Sequence, residues 1–285
     1  MIHSSSKVEA MTNLRLLAAL ICTTASIQAF VVKSVVSVPM WSARLPMSEA
    51  SSVHHPTFVN VKAVIFDVDG TLADSWRLGY DATAVVLENN NVPAINEEIY
   101  HECTRYATPE RLARHAGYMP GDADFARVGK ELGDEFDNLY VGLVTTKTAG
   151  FFDGITNLLQ DIPQDVKLGA LTNACVKYAE AVLEVNGATG SRFGSIRGAD
   201  NVPTPKPSPD GLFVVCQDLG VDPKDCVYIG DSPSDIHAAK NAGMYAIAVT
   251  WGSHPEENLR KTPFDQICKT VDELKALLPI KATMV

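Results

Sequence analysis

Apolar residues are concentrated in four short runs along the chain, each five to seven residues long and rich in β-branched side chains. The runs are VKAVIF (61–66), VKLGALT (166–172), CVYIG (226–230) and YAIAVT (245–250). They are apolar almost throughout, which is typical of strands covered on both faces. Helix-like stretches separate the last three runs, and this alternation predicts an α/β fold with a parallel sheet.

Residues 76–152 have a different pattern. Helical periodicity recurs in RLGYDATAVVLENNN, PERLARHAG and ARVGKELGDEFDNLYVGLV, and no run there predicts a strand. We therefore predict a helical insertion between the first strand and the rest of the sheet, ending near Phe152. An insertion at that place lies over the carboxyl ends of the strands, where ligands bind in open α/β folds.

The first 57 residues are predicted to lie outside the fold. A stretch of about a dozen mostly apolar residues follows one arginine and ends in small residues at Ala29, which is typical of a secretory signal peptide. Residues 30–57 hold several serines and only one acid, Glu49, a composition typical of a transit peptide. Segments 1–29 and 30–57 together resemble the two-part plastid presequences of algae with complex plastids. A secreted protein is the alternative.

Net charge and cysteine spacing argue against several kinds of partner and site. The net charge is −10, and residues 58–285 carry 20 Lys and Arg against 32 Asp and Glu. This balance argues against a nucleic-acid surface, and we expect no membrane partner for the mature form. No CxxC pair occurs, so free thiols in a reducing compartment are predicted rather than a zinc site or a disulfide framework. The cysteines lie at positions 22, 103, 175, 216, 226 and 268.

Two aspartates follow the first predicted strand, in the stretch AVIFDVDGT. Asp67 and Asp69 lie two residues apart, and Gly70 permits a tight turn directly after them. Carboxylates this close repel each other, and a Mg²⁺ ion, which prefers carboxylate oxygens, cancels that repulsion. The alternative is an ordinary turn rich in Asp and Gly.

Polar side chains that suit anionic oxygens occur at two further places. Thr172 and Asn173 end the second run, although Asn173 equally suits the N-cap of a helix that begins near Cys175. Lys206 lies between prolines in TPKPSPD, and these hold the backbone extended and present the ammonium from a defined place. A solvated surface charge is the alternative for this lysine.

A further pair of aspartates follows the third run. Asp231 comes after its strand as Asp67 does, so both carboxylates can converge on one cation at the shared edge of the sheet. Asp235 follows in GDSPSD, where it either orients water near that cation or completes a capping box with Ser232. By the same logic, Ser208 is predicted to N-cap a helix whose first residue is a proline.

Together, DVDGT, LTN, the lysine of PKPSPD and GDSPSD resemble, in this order, the motifs of the haloacid dehalogenase-like superfamily. The resemblance covers about residues 60–278, and HAAKNAGMYAIAVTWG further resembles the phosphoglycolate phosphatase-like branch. It implies a Rossmann-like parallel sheet core formed by residues 58–75 and 153–280. It also implies a small α-helical cap at residues 76–152.

The resemblance implies a phosphatase that uses Mg²⁺. Asp67 would be the nucleophile that forms an aspartyl-phosphate, and Asp69 the general acid and then the general base. An acid at this second position argues for phosphoryl transfer over carbon–halogen hydrolysis. The metal would be held by Asp67, the backbone carbonyl of Asp69 and Asp231, and Asp235 would act through water or Lys206. The phosphoryl oxygens would be bound by Thr172, Asn173 and Lys206.

The implied substrate is a small phosphorylated metabolite, and 2-phosphoglycolate is the leading candidate. Sugar phosphates, sugar bisphosphates and flavin or pyridoxal phosphates stay open. Two other functions fit the same fold, namely a phosphomutase and a non-catalytic binding protein. The basic side chains of the insertion either bind a substrate carboxylate or form a solvated helix face. These side chains are Arg105, Arg111, Arg114 and His115.

Overall fold

The structure is a computed structural model of the 285-residue chain, and it describes residues 61–188 and 192–279. These residues belong to one compact unit. The presequence predicted for residues 1–57 lies outside the described residues, so the plastid location stays a prediction. In the described ranges, none of the helices combines the length and the apolar character needed to cross a membrane.

A parallel sheet of six strands, in the order β5-β4-β1-β6-β7-β8, lies at the centre of the fold, and β2 and β3 form a separate antiparallel pair. The predicted α/β fold class is confirmed. The strands are β1 (Ala63–Phe66), β2 (Ala73–Asp74), β3 (Gly150–Phe151), β4 (Lys167–Leu171), β5 (Phe193–Arg197), β6 (Cys226–Gly230), β7 (Tyr245–Val249) and β8 (Gln266–Cys268).

Helices cover the sheet on both faces. Alternate residues of β1 pack into two different apolar clusters, Val64 and Phe66 into one and Ala63 and Ile65 into the other. Every residue of this strand is therefore buried, which explains its continuous apolar run. The helices are α1 (Trp76–Asn89), α2 (Glu97–Cys103), α3 (Thr108–His115), α4 (Phe125–Gly142), α5 (Ile155–Asp161), α6 (Val176–Val185), α7 (Asp210–Leu219), α8 (Pro233–Asn241), α9 (Glu256–Leu259) and α10 (Val271–Leu277).

The insertion predicted for residues 76–152 contains the three expected helices, α1, α3 and α4. Helix α2 was not predicted, although Asn96 caps it by accepting a hydrogen bond from the Ile99 N–H at 2.9 Å. The prediction of no strand in this region was wrong, because β3 pairs with β2 where the chain enters and leaves the insertion. The division into core and cap domains stays a prediction.

Of the two predicted helix starts, one is confirmed. Ser232 caps α8, whose first residue is Pro233, and a complete capping box joins Ser232 to Asp235. The other was wrong, because Pro209 occupies the N-cap of α7 and the helix begins at Asp210. The Ser208 hydroxyl accepts a hydrogen bond from the Asp210 N–H at 3.3 Å instead, which closes a local turn before the helix.

Candidate active site

Asp67 and Asp231 follow two neighbouring strands, β1 and β6, at the carboxyl edge of the sheet. The strands are in register, with Phe66 beside Ile229, and the Asp67 N–H donates to the Ile229 carbonyl at 2.9 Å. Only 6% of Asp67 and 3% of Asp231 are exposed. The parallel register thus brings two buried carboxylates together, as the sequence predicted.

Three buried carboxylates, those of Asp67, Asp231 and Asp235, have oxygens that lie within 4.8 Å of one another. Burial, followed by the neighbouring Asp235 carboxylate, raises the pKa of Asp67 well above its ordinary value. A divalent cation relieves this crowding, and carboxylate oxygens are the donors that Mg²⁺ prefers. The donor set therefore fits the predicted metal.

Lys206 is buried between two of these carboxylates. Its Nζ donates to Asp67 Oδ1 at 2.7 Å and to Asp235 Oδ1 at 2.6 Å, and 5% of the residue is exposed. Burial alone lowers the pKa of Lys206, but the charges of Asp235 and Asp67 outweigh burial and raise it. Lys206 is therefore a fixed cation beside Asp67 rather than a solvated surface charge.

The capping-box interpretation of Asp235 is confirmed, and the two oxygens of the carboxylate bind different partners. Oδ2 accepts from the Ser232 N–H at 2.9 Å and so completes the capping box. Oδ1 accepts from Lys206 and from the Tyr228 hydroxyl, the latter at 3.0 Å. The residue is fully buried. Its direct bond to Lys206 agrees with an indirect role.

Asp69 is surrounded by hydroxyl donors. Its Oδ1 accepts from Ser75 Oγ at 2.6 Å, from the Tyr140 hydroxyl at 3.0 Å and from the Tyr178 hydroxyl at 2.6 Å. Its Oδ2 accepts from Thr172 Oγ1 at 3.2 Å. These bonds fix the direction of the carboxylate. Ser75, at the N-cap of α1, donates to Asp69 instead of capping its own helix.

Tyr140 and Tyr178 were not among the predicted site residues. They come from α4 and α6, and their rings stack with centroids 4.0 Å apart. Burial first, and then the Asp69 charge, raise the pKa of each hydroxyl, so both stay protonated donors. No local pattern marks these residues, because each bond spans a long separation along the chain.

Thr172 and Asn173 lie at the carboxyl edge of the sheet, as predicted, and their side chains form hydrogen bonds to other groups of the protein. The Thr172 hydroxyl donates to Asp69 and accepts from the Ala174 N–H at 3.0 Å. The Asn173 side chain accepts from the Lys206 N–H and donates to the Lys206 carbonyl, both at 3.0 Å. Asn173 therefore holds the backbone of Lys206. The alternative that it caps α6 was wrong, because Cys175 occupies that N-cap.

Two glycines allow the loops to approach Asp231 closely. A Cβ on Gly70 or on Gly252 would overlap the Asp231 carboxylate, and Gly70 also has φ +74°. The Ser253 N–H donates to Asp231 Oδ2 at 2.7 Å. His254 Nδ1 lies 3.8 Å from the same oxygen, and neither ring nitrogen has a hydrogen-bond partner among the residues that the structure describes. The loop after β7 thus forms one side of the site.

A cleft that is open to solvent contains the site. The sheet edge contributes Asp67, Asp69 and Lys206 to its lining, and the insertion contributes Tyr140 and Arg111. Of the four basic side chains singled out in the insertion, Arg111 alone lines this cleft. The structure thus identifies which of these basic side chains can meet a ligand in the cleft, a question that the sequence left open.

The chain is similar to known proteins over most of the described residues. The model of a family described as haloacid dehalogenase-like hydrolase matches residues 64–249. A phosphoglycolate phosphatase of Pseudomonas putida is 30% identical over 222 residues, which cover 76% of this chain and 79% of that protein. An N-acetylmuramic acid 6-phosphate phosphatase of Pseudomonas aeruginosa is 29% identical over 203 residues, covering 70% and 87%. The solved structure of CbbY from Rhodobacter sphaeroides with xylulose-(1,5)bisphosphate is 25% identical, with a TM-score of 0.64, covering 73% of this chain and 93% of that one.

Proposed function

Because the chain belongs to the haloacid dehalogenase-like hydrolase family and is a phosphatase of that family, we propose that it hydrolyses a small phosphomonoester through an aspartyl-phosphate at Asp67. The observation that carries the proposal is the contact of Asp67 with Lys206 at 2.7 Å, beside the carboxylate of Asp231. A lone buried carboxylate is costly. Here a fixed ammonium accompanies it at the edge of an open cleft.

In the first step, Asp67 attacks phosphorus and the ester oxygen leaves. Asp69 enters this step protonated and transfers its proton to the departing alkoxide. As the carboxylate, it then removes a proton from the water that attacks the aspartyl-phosphate. The second displacement releases phosphate and restores the Asp67 carboxylate. The hydroxyl donors around Asp69 orient its ionised form, which is the form that removes a proton from water in the second step.

We propose that Asp67, Asp231 and the backbone carbonyl of Asp69 hold a Mg²⁺ ion, and that Asp235 acts through Lys206. When bound, the ion screens the negative charge of the phosphoryl group from the attacking carboxylate. Thr172, Asn173 and Lys206 form the phosphoryl-binding side. Because the Asn173 amide already bonds the Lys206 backbone, its main contribution is to position that lysine.

The leading candidate for the substrate is 2-phosphoglycolate. The relatives named above support a small phosphorylated acid, since one is named for phosphoglycolate and another for a phosphorylated sugar acid. The CbbY structure with a sugar bisphosphate keeps sugar bisphosphates as the second candidate class. A phosphatase for any of these compounds uses the same chemistry at Asp67.

The test is phosphate release by the purified protein with Mg²⁺ from 2-phosphoglycolate, sugar phosphates and sugar bisphosphates, with Asp67→Asn as the blank. We expect one strong preference, no activity after chelation of the metal, and activity at background in the variant. A protein that releases no phosphate from any ester, or an Asp67→Asn variant as active as the parent, contradicts the proposal. A bisphosphate that transfers its phosphoryl group to a sugar indicates a mutase.

We further propose that residues 1–57 direct the protein to a plastid. A fusion of this segment to a fluorescent protein, expressed in an alga with complex plastids, tests the proposal. Fluorescence in the plastid is expected, whereas fluorescence in the medium favours the secreted alternative.

A further inference from the structure

Arg111 places a buried guanidinium in the wall of the cleft. It lies on α3 of the insertion, and only 6% of the residue is exposed. Nη1 donates to Thr83 Oγ1 at 2.8 Å, and the Thr83 hydroxyl donates in turn to the Gly79 carbonyl at 2.7 Å. One nitrogen of the guanidinium is thus anchored to α1.

This guanidinium forms no ion pair with any described residue. Among residues 61–188 and 192–279, no carboxylate oxygen forms an ion pair with Arg111, whereas the neighbouring Arg114 pairs with Glu110 at 2.6 Å. Burial raises the pKa of Asp137 to about 6, although the charge of Arg111 opposes that effect, and no ion pair joins the two. A buried cation without an anion is unfavourable, so the site favours an anion from outside.

Two aromatic rings fix the orientation of the guanidinium. Its central carbon lies 4.4 Å from the ring centroid of Phe136 and 5.6 Å from that of Tyr100. A planar cation packed over two aromatic rings keeps one direction, which favours binding of an anion through two parallel N–H groups. The cation is therefore positioned before any ligand arrives.

The cleft has one other lysine or arginine among its described lining residues, Lys206. Lys206 already pairs with Asp67 and Asp235, so its charge is compensated within the protein. Lys206 belongs to the sheet edge and Arg111 to the insertion. A small molecule in the cleft thus meets the reacting groups at the sheet edge and, from the insertion, a cation that forms no ion pair within the described residues.

We propose that Arg111 is a specificity-determining residue that binds a second anionic group, a carboxylate, on the phosphomonoester. The proposal rests on the proposed function, since it assumes that the phosphoryl group reacts at Asp67. It assigns the substrate class as small phosphorylated acids. Phosphate esters whose alcohol part carries no charge are turned over inefficiently, because they leave the guanidinium without an anion.

The test compares kcat/KM for 2-phosphoglycolate and for 2-hydroxyethyl phosphate, in which a neutral CH₂OH replaces the carboxylate. The proteins are wild type, Arg111→Gln, Arg111→Lys and, as a matched control from the same helix, Arg114→Gln. We expect wild type and Arg114→Gln to prefer the acidic ester by about 10- to 100-fold. We expect Arg111→Gln to lose that preference, mainly through KM, and Arg111→Lys to keep part of it.

An unchanged preference in Arg111→Gln, with thermal unfolding still cooperative, overturns the inference. If no protein hydrolyses either ester, 2-phosphoglycolate is not the substrate, and the full panel of esters given above decides the proposed function; binding then tests Arg111 separately. Titration calorimetry of 2-phosphoglycolate with Asp67→Asn and with Asp67→Asn/Arg111→Gln supplies that test. A Kd about 10-fold or more weaker in the double variant supports the inference, and an equal Kd overturns it.

Discussion

The hydroxyl of Tyr140, on helix α4 of the insertion, donates to Oδ1 of Asp69 at the sheet edge across 3.0 Å. The ring of Tyr140 also stacks on Tyr178, which donates to the same oxygen. The insertion therefore contacts the proposed acid–base residue directly, in addition to covering the cleft. Any displacement of α4 removes one of the donors that orient Asp69.

Tyr140→Phe removes this donor and keeps the stacked ring. We expect kcat for the preferred ester to fall by about 10-fold or more, because a hydrogen bond to a charged group contributes about 1.5–3 kcal/mol. KM should change less, since the phenyl ring still fills the same space. Steady-state kinetics measure both values.

The matched control for this variant is Tyr80→Phe, which loses a hydroxyl that donates to the Ile95 carbonyl at 3.0 Å within the insertion. We expect its kcat to match that of the wild type. Equal kcat values for Tyr140→Phe and Tyr80→Phe would show that the bond to Asp69 has no part in turnover.

Lys206→Met leaves two buried carboxylates without their cation. Breaking a buried ion pair on one side costs about 3–5 kcal/mol, so we expect a loss of this size in the free energy of unfolding without Mg²⁺. Urea denaturation measures it. The control is Lys130→Met. Lys130 pairs with Asp134 at the surface, where the two side chains are 73% and 63% exposed, so this variant should lose less than about 1 kcal/mol in the free energy of unfolding. Similar losses for both variants contradict this account of Lys206.

Gly70→Ala tests the close approach to Asp231. The new Cβ overlaps the Asp231 carboxylate and also requires a left-handed backbone at φ +74°, so activity should be lost. Gly117→Ala is the control, because its φ is +85° and nothing lies within 4 Å of the added Cβ. It should cost about 1–2 kcal/mol in stability and leave activity unchanged. An active Gly70→Ala enzyme contradicts the proposed metal side of the site.

Asp137 makes stability depend on pH. Burial raises its pKa in the folded protein to about 6, and within the described part of the chain Oδ1 has no hydrogen-bond partner. The folded state thus binds this proton more tightly than the unfolded chain, so its contribution to stability is lost as pH rises from about 4 to about 6. Relative to wild type, Asp137→Asn should gain about 2–3 kcal/mol between pH 4 and pH 7, since each unit corresponds to about 1.4 kcal/mol.

Urea denaturation at both pH values measures this gain. Asp134→Asn, from the exposed pair on the same helix, is the control and should show no comparable gain. A difference between Asp137→Asn and wild type that is constant from pH 4 to pH 7 contradicts the expected titration.

The sheet and its carboxylates were predictable because their signals are local. Asp67 and Asp231 each follow a continuous apolar run, and parallel strands bring such positions to one edge. Strands β5 and β8 were not predicted, since FGSIR is interrupted by Gly194 and β8 has only three residues. Short strands depend on their neighbours for pairing more than on their own composition.

The contacts from the insertion could not be predicted in the same way. Arg105, Arg111 and Arg114 are close in sequence, yet Arg111 alone lies on the face of α3 that lines the cleft. Tyr140 meets Asp69 only because α4 packs beside the sheet edge. The contact of Tyr228 could have been predicted, because a hydroxyl within a fully buried strand requires a hydrogen-bond partner. That partner is Asp235.

The central claim, that Asp67 forms an aspartyl-phosphate, is tested most directly by trapping that group. The enzyme is mixed with its preferred ester, quenched in acid during turnover and treated with borohydride, which reduces an acyl phosphate to an alcohol. Peptide mass spectrometry then locates the modified residue. We expect the reduced residue at position 67 when substrate is present. We expect none without substrate and none in Asp67→Asn. Full turnover without modification at Asp67, or with the group on another residue, would contradict it.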